Sequence, residues 1–515
     1  MAVGASGHHG SMLLADLVVT SAAVAATRSR KAKVAAIAEL LAAAAPDERQ
    51  VVTSYVGGAL LQRRTGLGWR GLADLPAPAG SGSLSVLDVH EAFDAIAAIA
   101  GAGSQAARAA AVASLFGRAT EEEQPWLRGV VTGEVRQGAL DALVQEAVAA
   151  AADVPLAAVR RAAMLAGSTV AVVDLAFDGG SDALAEVGLE VGRPVLPMLA
   201  SSAKTLAEAI EKAGGGTVAI DTKLDGIRIQ VHRSGDSVRI ATRSLDDITD
   251  RLPEVVEVAR SLDATDFVLD GEALALDDEG RPRAFQDTAS RTAQADGVRV
   301  TPFFFDVLHV DGRDLLTAPG EERLAELERL VPEPFRVPRV VTDDLAVAEA
   351  FAVDALAAGH EGVVVKKQSA PYDAGRRGAA WVKVKPVHTL DLVVLAVEWG
   401  SGRRSGWLSN IHLGARDPSS ETGFVMLGKT FKGMTDEMLA WQTERFTELA
   451  TSPTDRSSYV VEVLPEQVVE IAFDGLQRST RYPGGLALRF ARVLRYRDDK
   501  TADEADTIEA VRAYL

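Results

Sequence analysis

The stretch IDTKLDGIR, residues 220–228, lies in the middle of the chain and decides how the rest of the sequence is interpreted. Residues 217–223 and 227–232 each alternate in character, as half-buried strands do, and the Asp225-Gly226 pair between them is a strong short-range signal for a hairpin turn. We therefore predict a β-hairpin with Lys223 at the end of its first strand. A lysine held beside other cations can lose its proton and act as a nucleophile, which makes this hairpin a candidate reactive site.

Within that stretch, Lys223-Leu-Asp225-Gly226-Ile-Arg228 resembles the K-x-D-G-x-R signature of nucleotidyltransferases that form a lysyl–nucleotide intermediate. A lysine at a strand end is most often only solvated, so this motif alone is a moderate signal. Further motifs follow in the same order as in ATP-dependent DNA ligases of the bacterial and archaeal type, and the resemblance runs over roughly residues 12–515. Such an ordered set is far more specific than any one of its members.

Length and composition predict a multidomain α+β protein, because 515 residues correspond to about three domains at roughly 150 residues each. Residues 12–190 are mostly helical in pattern, and the resemblance implies that they form a helical DNA-binding domain. Residues 191–388 mix strands and helices and are predicted to be the adenylation (nucleotidyltransferase) domain. Residues 389–515 have short alternating strands and predict an OB-fold (oligonucleotide-binding) β-barrel of about five strands. Residues 1–11 are interpreted as an expression leader, with Met12 as a plausible natural start.

The charge and the cysteine count limit the class of protein. The chain has no cysteine, which excludes disulfides and thiolate zinc sites and argues against the NAD-dependent ligases with their four-cysteine zinc module. Uninterrupted apolar windows of about 18 residues are missing, so no membrane span is expected, and a cytoplasmic, nucleoid-associated location is the default expectation. The net charge of −18 fits an acidic enzyme that never meets DNA, or an acidic exterior with basic groups gathered on one inner surface.

A lysyl–nucleotide reaction needs a nucleophile, a base site, cations for the phosphates and a metal. Lys223 is the candidate nucleophile, and Lys383 and Lys385 are predicted to lie on one face of a strand, where they could hold the α-phosphate. Glu272, at the polar end of its predicted strand, and Glu361 are hard oxygen ligands suited to Mg²⁺, with Mn²⁺ as a substitute. Phe305 offers a flat apolar surface for adenine.

The resemblance assigns further roles, all by position in this sequence. It implies that Arg228 holds the nucleotide and that Arg243 contacts the ribose side and the nick phosphate. It also implies that Glu272 lies between ribose and metal, and that Glu361 is associated with the metal. The remaining implied nucleotide contacts are Asp221 at adenine, Phe305 stacked on it, Arg377 and Lys383 beside Lys385, and Arg497 and Lys500 at the departing pyrophosphate. Asp221 stands where glutamate is more common in these families, which leaves its reach to adenine open.

Two segments of the helical region mix arginines with glycines, residues 61–70 and 129–138. Glycines let a backbone approach a phosphate closely while arginines neutralise it. Each segment alone is more often an ordinary loop between helices, but both resemble parts of the DNA-binding domain of these ligases.

The leading hypothesis is therefore an ATP-dependent DNA ligase that seals nicks in double-stranded DNA through lysyl-AMP and DNA-adenylate intermediates. It would be a monomer acting in replication, repair or recombination, with recruitment by other repair or replication proteins left open. The alternatives are an RNA ligase or a capping-type nucleotidyltransferase, and a non-catalytic nick-binding protein.

Overall fold

The computed structural model describes residues 11–62, 64–135, 137, 141–291, 297–373, 377–401, 404–455 and 458–514. Along these ranges the chain forms a helical domain, a domain built on two sheets, and a β-rich domain, in that order. The predicted leader lies outside the described residues except for Ser11, whose hydroxyl donates a hydrogen bond to Glu48 at 2.6 Å.

The first domain packs short helices around one apolar core. In chain order these helices are α1 (Leu14–Ala26), α2 (Arg30–Ala43), α3 (Arg49–Val56), α4 (Val86–Ala98), α5 (Ser104–Arg118), α6 (Glu123–Thr132), α7 (Asp141–Ala151), α8 (Leu156–Ala166) and α9 (Val173–Glu186). Local sequence explains where α4 begins. The Ser85 hydroxyl accepts a hydrogen bond from the backbone N–H of Asp88 at 3.0 Å, and the Asp88 carboxylate accepts one from the backbone N–H of Ser85 at 2.9 Å, which forms a capping box. Phe93 and Phe116 are fully buried in the core, which confirms the helical prediction for this region.

Across the described residues, no single helix has the length and apolar character of a membrane span. The pair Leu156–Ala166 and Val170–Glu186 reaches that length only jointly, across a bend of 113°.

The second domain mixes strands and helices, as predicted for residues 191–388. Its elements are β1 (Leu199–Ala203), α10 (Leu206–Lys212), β2 (Val218–Lys223), β3 (Ile227–Ser234), β4 (Ser237–Thr242), α11 (Pro253–Ser261), β5 (Asp266–Ala275), α12 (Phe285–Ser290), β6 (Val300–Val310), β7 (Arg313–Asp314), α13 (Gly320–Leu330), β8 (Arg339–Thr342), α14 (Leu345–Ala357), β9 (Gly362–Lys367) and β10 (Arg377–Val384). One sheet has the order β1-β10-β9-β2-β8 and the other β4-β3-β5-β6-β7. Met164 and Leu165 of α8 pack with Val268 and Leu308 of the second sheet, which fastens the helical domain to this one.

The predicted hairpin at Asp225-Gly226 is wrong. β2 pairs with β8 and β9, whereas β3 pairs with β4 and β5, so residues 224–226 carry the chain from one sheet to the other. Neither Asp225 nor Gly226 has the left-handed backbone that an Asp-Gly hairpin turn requires. Gly226 is needed for space instead, because a Cβ at this position would lie 2.3 Å from the carbonyl oxygen of Ala273 in β5.

The third domain is a curled antiparallel sheet around its own core, capped by a helix. Its elements are β11 (His388–Trp399), β12 (Leu408–Arg416), β13 (Phe424–Thr430), α15 (Asp436–Glu448), β14 (Val460–Glu462), β15 (Val468–Phe473), β16 (Gly475–Arg478), β17 (Leu486–Arg489), β18 (Arg492–Tyr496) and α16 (Ile508–Arg512). The type of domain is as predicted, but the strand number is not: within the described ranges the sheet has six strands, ordered β13-β12-β11-β15-β18 with β14 on β11, and β16 and β17 form a separate hairpin. The short 3-10 helices of the chain are Trp69–Leu72, Val170–Val172, Thr249–Arg251, Glu333–Phe335 and Ala502–Glu504.

Candidate active site

A cavity of about 910 Å³ opens where the two sheets of the second domain meet the barrel. Most of the residues singled out from the sequence line it: Asp221, Lys223, Arg228, Arg243, Glu272, Phe305, Glu361, Lys383 and Lys385. The backbone of Arg377 begins β10, while its side chain lies outside the described part of the structure. The fold thus brings together residues that are far apart in the sequence.

Lys223 reaches the cavity from the last position of β2. That position pairs with Gly362 at the start of β9, which sets Glu361 beside it, and the ammonium of Lys223 donates a hydrogen bond to the Glu361 carboxylate. A Cβ on Gly362 would lie 2.3 Å from the carbonyl oxygen of Val384, so glycine lets β9 and β10 come close here. The lysine and glutamate side chains are 22% and 16% exposed, and the pair is therefore open to a ligand from the cavity side.

Charges of opposite sign alternate across this part of the cavity. The ammonium of Lys385, just past β10, lies 3.7 Å from Glu361 and 2.5 Å from Asp474 of the barrel. Beside this row, Arg489 of β17 forms an ion pair with Asp225 at 2.5 Å. Among the described residues the barrel therefore contributes one anion and one cation to the cavity, and neither was assigned to the site from the sequence.

Arg228 is held tightly at the floor of the cavity. Its guanidinium donates to both carboxylate oxygens of Asp270, at 3.0 and 2.6 Å, and to the carbonyl oxygen of Met198 at 2.7 Å. It also lies 5.4 Å from the ring centre of Phe305. Most N–H groups of the guanidinium are therefore already hydrogen-bonded within the protein. This suits a residue that supports a bound nucleotide from below better than one that binds its phosphates directly.

Glu272 lies in the interior of β5, not at the polar end of a strand as predicted. Its carboxylate accepts the amide N–H of Gly226 at 3.2 Å. Burial raises the pKa of Glu272 to about 7, against the opposing effect of the nearby Lys223 and Arg228 cations. A further cation that enters the cavity would therefore stabilise the charged form of this carboxyl group.

The far end of the cavity holds the residues predicted to meet the base. Asp221 is buried and accepts hydrogen bonds from Arg339 of β8, 2.8 Å from Nη2, while Lys366 of β9 lies 2.6 Å away. Burial favours protonation, but these two cations outweigh it and keep the pKa of Asp221 below its ordinary value. The Lys366 ammonium also lies 4.6 Å from the ring centre of Phe305. Arg339 and Lys366 were not predicted to be site residues from the sequence. The pairing of β8 and β9 with β2 is what brings them next to Asp221.

Arg497 and Lys500 are not brought to the cavity. Arg497 donates to Asp391 at 3.0 Å and to Asp499 at 2.7 Å, and the Lys500 ammonium lies 2.6 Å from Asp391. All four residues belong to the barrel domain, so in this conformation its C-terminal motif is tied to its own first strand. The predicted pyrophosphate contact requires a different position of the barrel.

The two arginine–glycine segments have different outcomes. In residues 61–70, Arg64 lines the cavity and Trp69 is 56% exposed, so these side chains are accessible from solvent. In residues 129–138, Gly129 lies inside α6 and Gln137 is buried, where its backbone carbonyl accepts from Lys33 at 2.8 Å. Gln137 thus belongs to the helical core, whereas Gly133 and Glu134 are exposed. Arg136 and Gly138 lie outside the described residues, and a binding role for this segment stays a prediction.

The carboxylates present are compatible with a divalent cation. Among the described residues, no group of three or more His, Cys, Asp or Glu side chains is gathered as a self-contained metal site. Mg²⁺ usually needs only one or two carboxylates, with substrate phosphates and water completing its coordination. Glu272 and Glu361 both line the cavity and fit that requirement.

Comparisons with known proteins identify the family. The model of the DNA ligase N terminus matches residues 59–149, that of the ATP-dependent DNA ligase domain residues 197–385, and that of the ATP-dependent DNA ligase C-terminal region residues 404–500. A curated relative from Nocardioides sp. (strain ATCC BAA-499 / JS614), "Probable DNA ligase", is 74% identical over 98% of this chain and 100% of its own length. Another of the same description, from Kineococcus radiotolerans, is 69% identical over 98% of this chain and 99% of its own.

The fold is found among solved structures as well. The structure "Pmar-Lig_PreS3" has a TM-score of 0.63 and 17% identity over 93% of this chain and 99% of its own. Lys223, several further cations and two carboxylates line one cavity, the combination that a covalent nucleotidyltransferase needs. The relatives and the family models show that the chain belongs to the ATP-dependent DNA ligases, and it is an enzyme of that class.

Proposed function

We propose that this enzyme seals nicks in double-stranded DNA in three steps. Nζ of Lys223 attacks the α-phosphorus of ATP, the bond to the β-phosphate oxygen breaks, and pyrophosphate leaves. An oxygen of the 5′-phosphate at the nick then attacks the phosphorus of lysyl-AMP, and the bond to Nζ breaks, which releases Lys223. Finally the 3′-hydroxyl attacks the 5′-phosphorus, and AMP leaves as the phosphodiester bond forms. The observation that supports this sequence is the placement of Lys223, hydrogen-bonded to Glu361, in a cavity lined by further cations.

The first step requires the amine of Lys223 in its neutral form, because an ammonium has no electron pair to donate. Glu361 is placed to orient this amine and to accept a proton from Nζ. Lys383 and Lys385 enter the same cavity from β10 and its end, and we assign them to the α-phosphate. Fixed cations at the site of charge development are the main means of accelerating phosphoryl transfer.

The base and the DNA phosphates take the remaining positions. Phe305 would stack on adenine, and Asp221 would act through the Arg339 and Lys366 cations that it holds in place. Arg243 would contact the ribose side of the nucleotide and the nick phosphate. Glu272 and Glu361 would hold Mg²⁺, or Mn²⁺ in its place, and a metal bound there would neutralise charge on the phosphates.

We propose that the substrate is a nick in double-stranded DNA and that the helical domain supplies part of its binding surface. Arg64, Trp69 and Arg70 are exposed within residues 61–70, and Arg64 lines the cavity. Such contacts neutralise phosphates and should weaken as salt rises. We further propose that the enzyme acts as a monomer, in the cytoplasm and near the nucleoid, in replication, repair or recombination.

The test is labelling with radioactive ATP or GTP, followed by denaturing electrophoresis. We expect label from ATP on the wild type and none on Lys223→Ala, because no other amine replaces Nζ at the end of β2. Lys367→Ala, an exposed lysine at the end of β9, is the matched control and should label normally. Undiminished labelling of Lys223→Ala would place the nucleophile elsewhere. Label from GTP alone would indicate a capping-type enzyme, and no label at all would indicate a nick-binding protein.

A further inference from the structure

The barrel inserts one carboxylate, that of Asp474, among the cations of the adenylation site. Asp474 follows β15, and its backbone N–H donates to the carbonyl oxygen of Arg489 at 2.9 Å, which fixes it beside the β16–β17 hairpin. Its side chain is 16% exposed. One carboxylate oxygen lies 2.5 Å from Nζ of Lys385, and the other lies 3.5 Å from Arg492 of the barrel.

This contact completes a row of alternating charges from the nucleophile to the barrel. Lys223 donates a hydrogen bond to Glu361, and Glu361 lies 3.7 Å from Lys385. Lys385 in turn donates a hydrogen bond to Asp474. Glu361 thus interacts with both lysines, but only Lys223 is within hydrogen-bond distance of it. Asp474 is therefore the principal anion for Lys385 while the barrel is in this position.

A phosphate and a carboxylate compete for the same ammonium, because each forms a charge-assisted hydrogen bond with it. While Nζ of Lys385 is hydrogen-bonded to Asp474 at 2.5 Å, its charge is shared between that carboxylate and any α-phosphate of ATP nearby. When the barrel moves away, Asp474 moves with it, and Lys385 becomes available. Docking of the barrel does not depend on this pair alone, since Arg489 also binds Asp225 and Gln286 donates to the Arg478 carbonyl oxygen at 3.0 Å.

We propose that Asp474 is a positioning residue that couples the place of the barrel to the affinity of the site for ATP. With the barrel docked, Asp474 occupies Lys385 and disfavours ATP; with the barrel withdrawn, Lys385 is free for the α-phosphate. The consequence is that an enzyme whose barrel stays docked while it holds a DNA-adenylate takes up a new ATP less readily before it seals the nick. This inference rests on the proposed function, in which Lys385 contacts the α-phosphate.

The experiment compares Asp474→Asn with the wild type in two assays. In self-adenylation without DNA, we expect the apparent KM for ATP to fall about three- to tenfold with kcat nearly unchanged, the range that a partly exposed ion pair supports. In sealing of a pre-adenylated nick, added ATP should slow the variant and leave more unsealed DNA-adenylate than in the wild type. Asp474→Glu, which keeps the charge, should restore wild-type behaviour in both assays.

Glu470→Gln is the matched control, since this carboxylate lies on β15 and pairs with Arg495 away from the cavity. Asp474→Ser is a second uncharged variant for the case that Asp474→Asn is poorly folded, and it must move KM in the same direction. An unchanged KM with a lower kcat would make Asp474 a structural contact and overturn the inference. Absence of lysyl-AMP on the wild type would overturn the proposed function instead, so the two failures are distinguishable.

Discussion

At the scale of single residues, Asp221 is the anion that allows two cations to be buried at the base end of the cavity. Arg339 and Lys366 both bind its carboxylate, and both also donate to the carbonyl oxygen of Phe305. Asp221→Asn would leave the two cations without their nearest counter-charge, and removal of one partner of a buried pair costs about 3–5 kcal/mol. We expect a loss of that size in the free energy of unfolding, measured by denaturant titration. Asp221→Glu keeps the charge and should lose less; a loss below about 1 kcal/mol for Asp221→Asn would contradict the buried-pair account.

Glu272 gives a prediction about pH. Its pKa is about 7 in the folded protein against an ordinary value of 4.5, so between these values the unfolded chain has released a proton that the folded protein keeps. Stability due to this group therefore falls as pH rises from about 4.5 to about 7 and then stays level. Glu272→Gln has no proton to release, so its free energy of unfolding should rise relative to that of the wild type between pH 5 and pH 8. We expect this relative rise to reach about 1–3 kcal/mol at pH 8, measured by denaturant titration at each pH. A difference between the two proteins that does not change with pH would contradict the raised pKa.

The residue scale also marks what the sequence could supply. Lys223, Glu361, Lys383 and Lys385 lie in recognisable motifs, and all line the cavity. Arg339 stands in no motif, and its role arises only because β8 pairs with β2 in a register that sets it opposite Asp221. Side-chain partners set by long-range strand pairing leave no local trace in a sequence.

At the scale of elements, the connection from β2 to β3 shows why a local signal failed. The alternating strands on either side of Asp225-Gly226 are real, but each finds its partners far along the chain, β2 with β9 and β3 with β5. Alternation and turn residues report that two strands are close in sequence, and they do not report that the strands share a sheet. The helical character predicted for residues 12–190, which rests on local patterns, is by contrast confirmed.

Gly226 is the element-scale test of that connection. A Cβ would lie 2.3 Å from the carbonyl oxygen of Ala273, so Gly226→Ala must push the connection away from β5, where Lys223 and Glu272 converge. We expect self-adenylation to fall by at least about tenfold, because small displacements of reacting groups have large effects on rate. Gly378→Ala on β10 is the control, since the nearest atom to a Cβ there is 3.9 Å away. Equal activity of the two variants would mean that the close approach is not required.

For the molecule as a whole, the net charge of −18 is distributed unevenly. Cations from all three domains line one cavity: Arg64, Arg228, Arg243, Arg251, Lys223, Lys366, Lys383, Lys385 and Arg489. The sequence left open whether the chain was an acidic enzyme indifferent to DNA or one with basic groups gathered inward. The cavity favours the second interpretation, because phosphates need local cations and not a positive total.

The position of the C-terminal motif leads to a prediction about domain movement. Arg497 and Lys500 are tied to Asp391 inside the barrel, outside the lining of the cavity. To meet the pyrophosphate they must be carried there by rotation of the barrel, and the segment before β11 is the expected hinge. Arg497→Ala with Lys500→Ala should therefore lower self-adenylation by about 10²–10³-fold, because charge on the leaving group is left unstabilised.

The same double variant should seal a pre-adenylated nick at close to the wild-type rate, since pyrophosphate has already left before that step. The measurement is single-turnover sealing of pre-adenylated nicked DNA beside labelling with ATP. Arg495→Ala, which removes a neighbouring surface arginine paired with Glu470, is the control for loss of a barrel ion pair and should be active in both assays. Equal losses of the double variant in the two assays would make Arg497 and Lys500 stabilisers of the barrel through Asp391, and no movement of the barrel would then be needed to explain them.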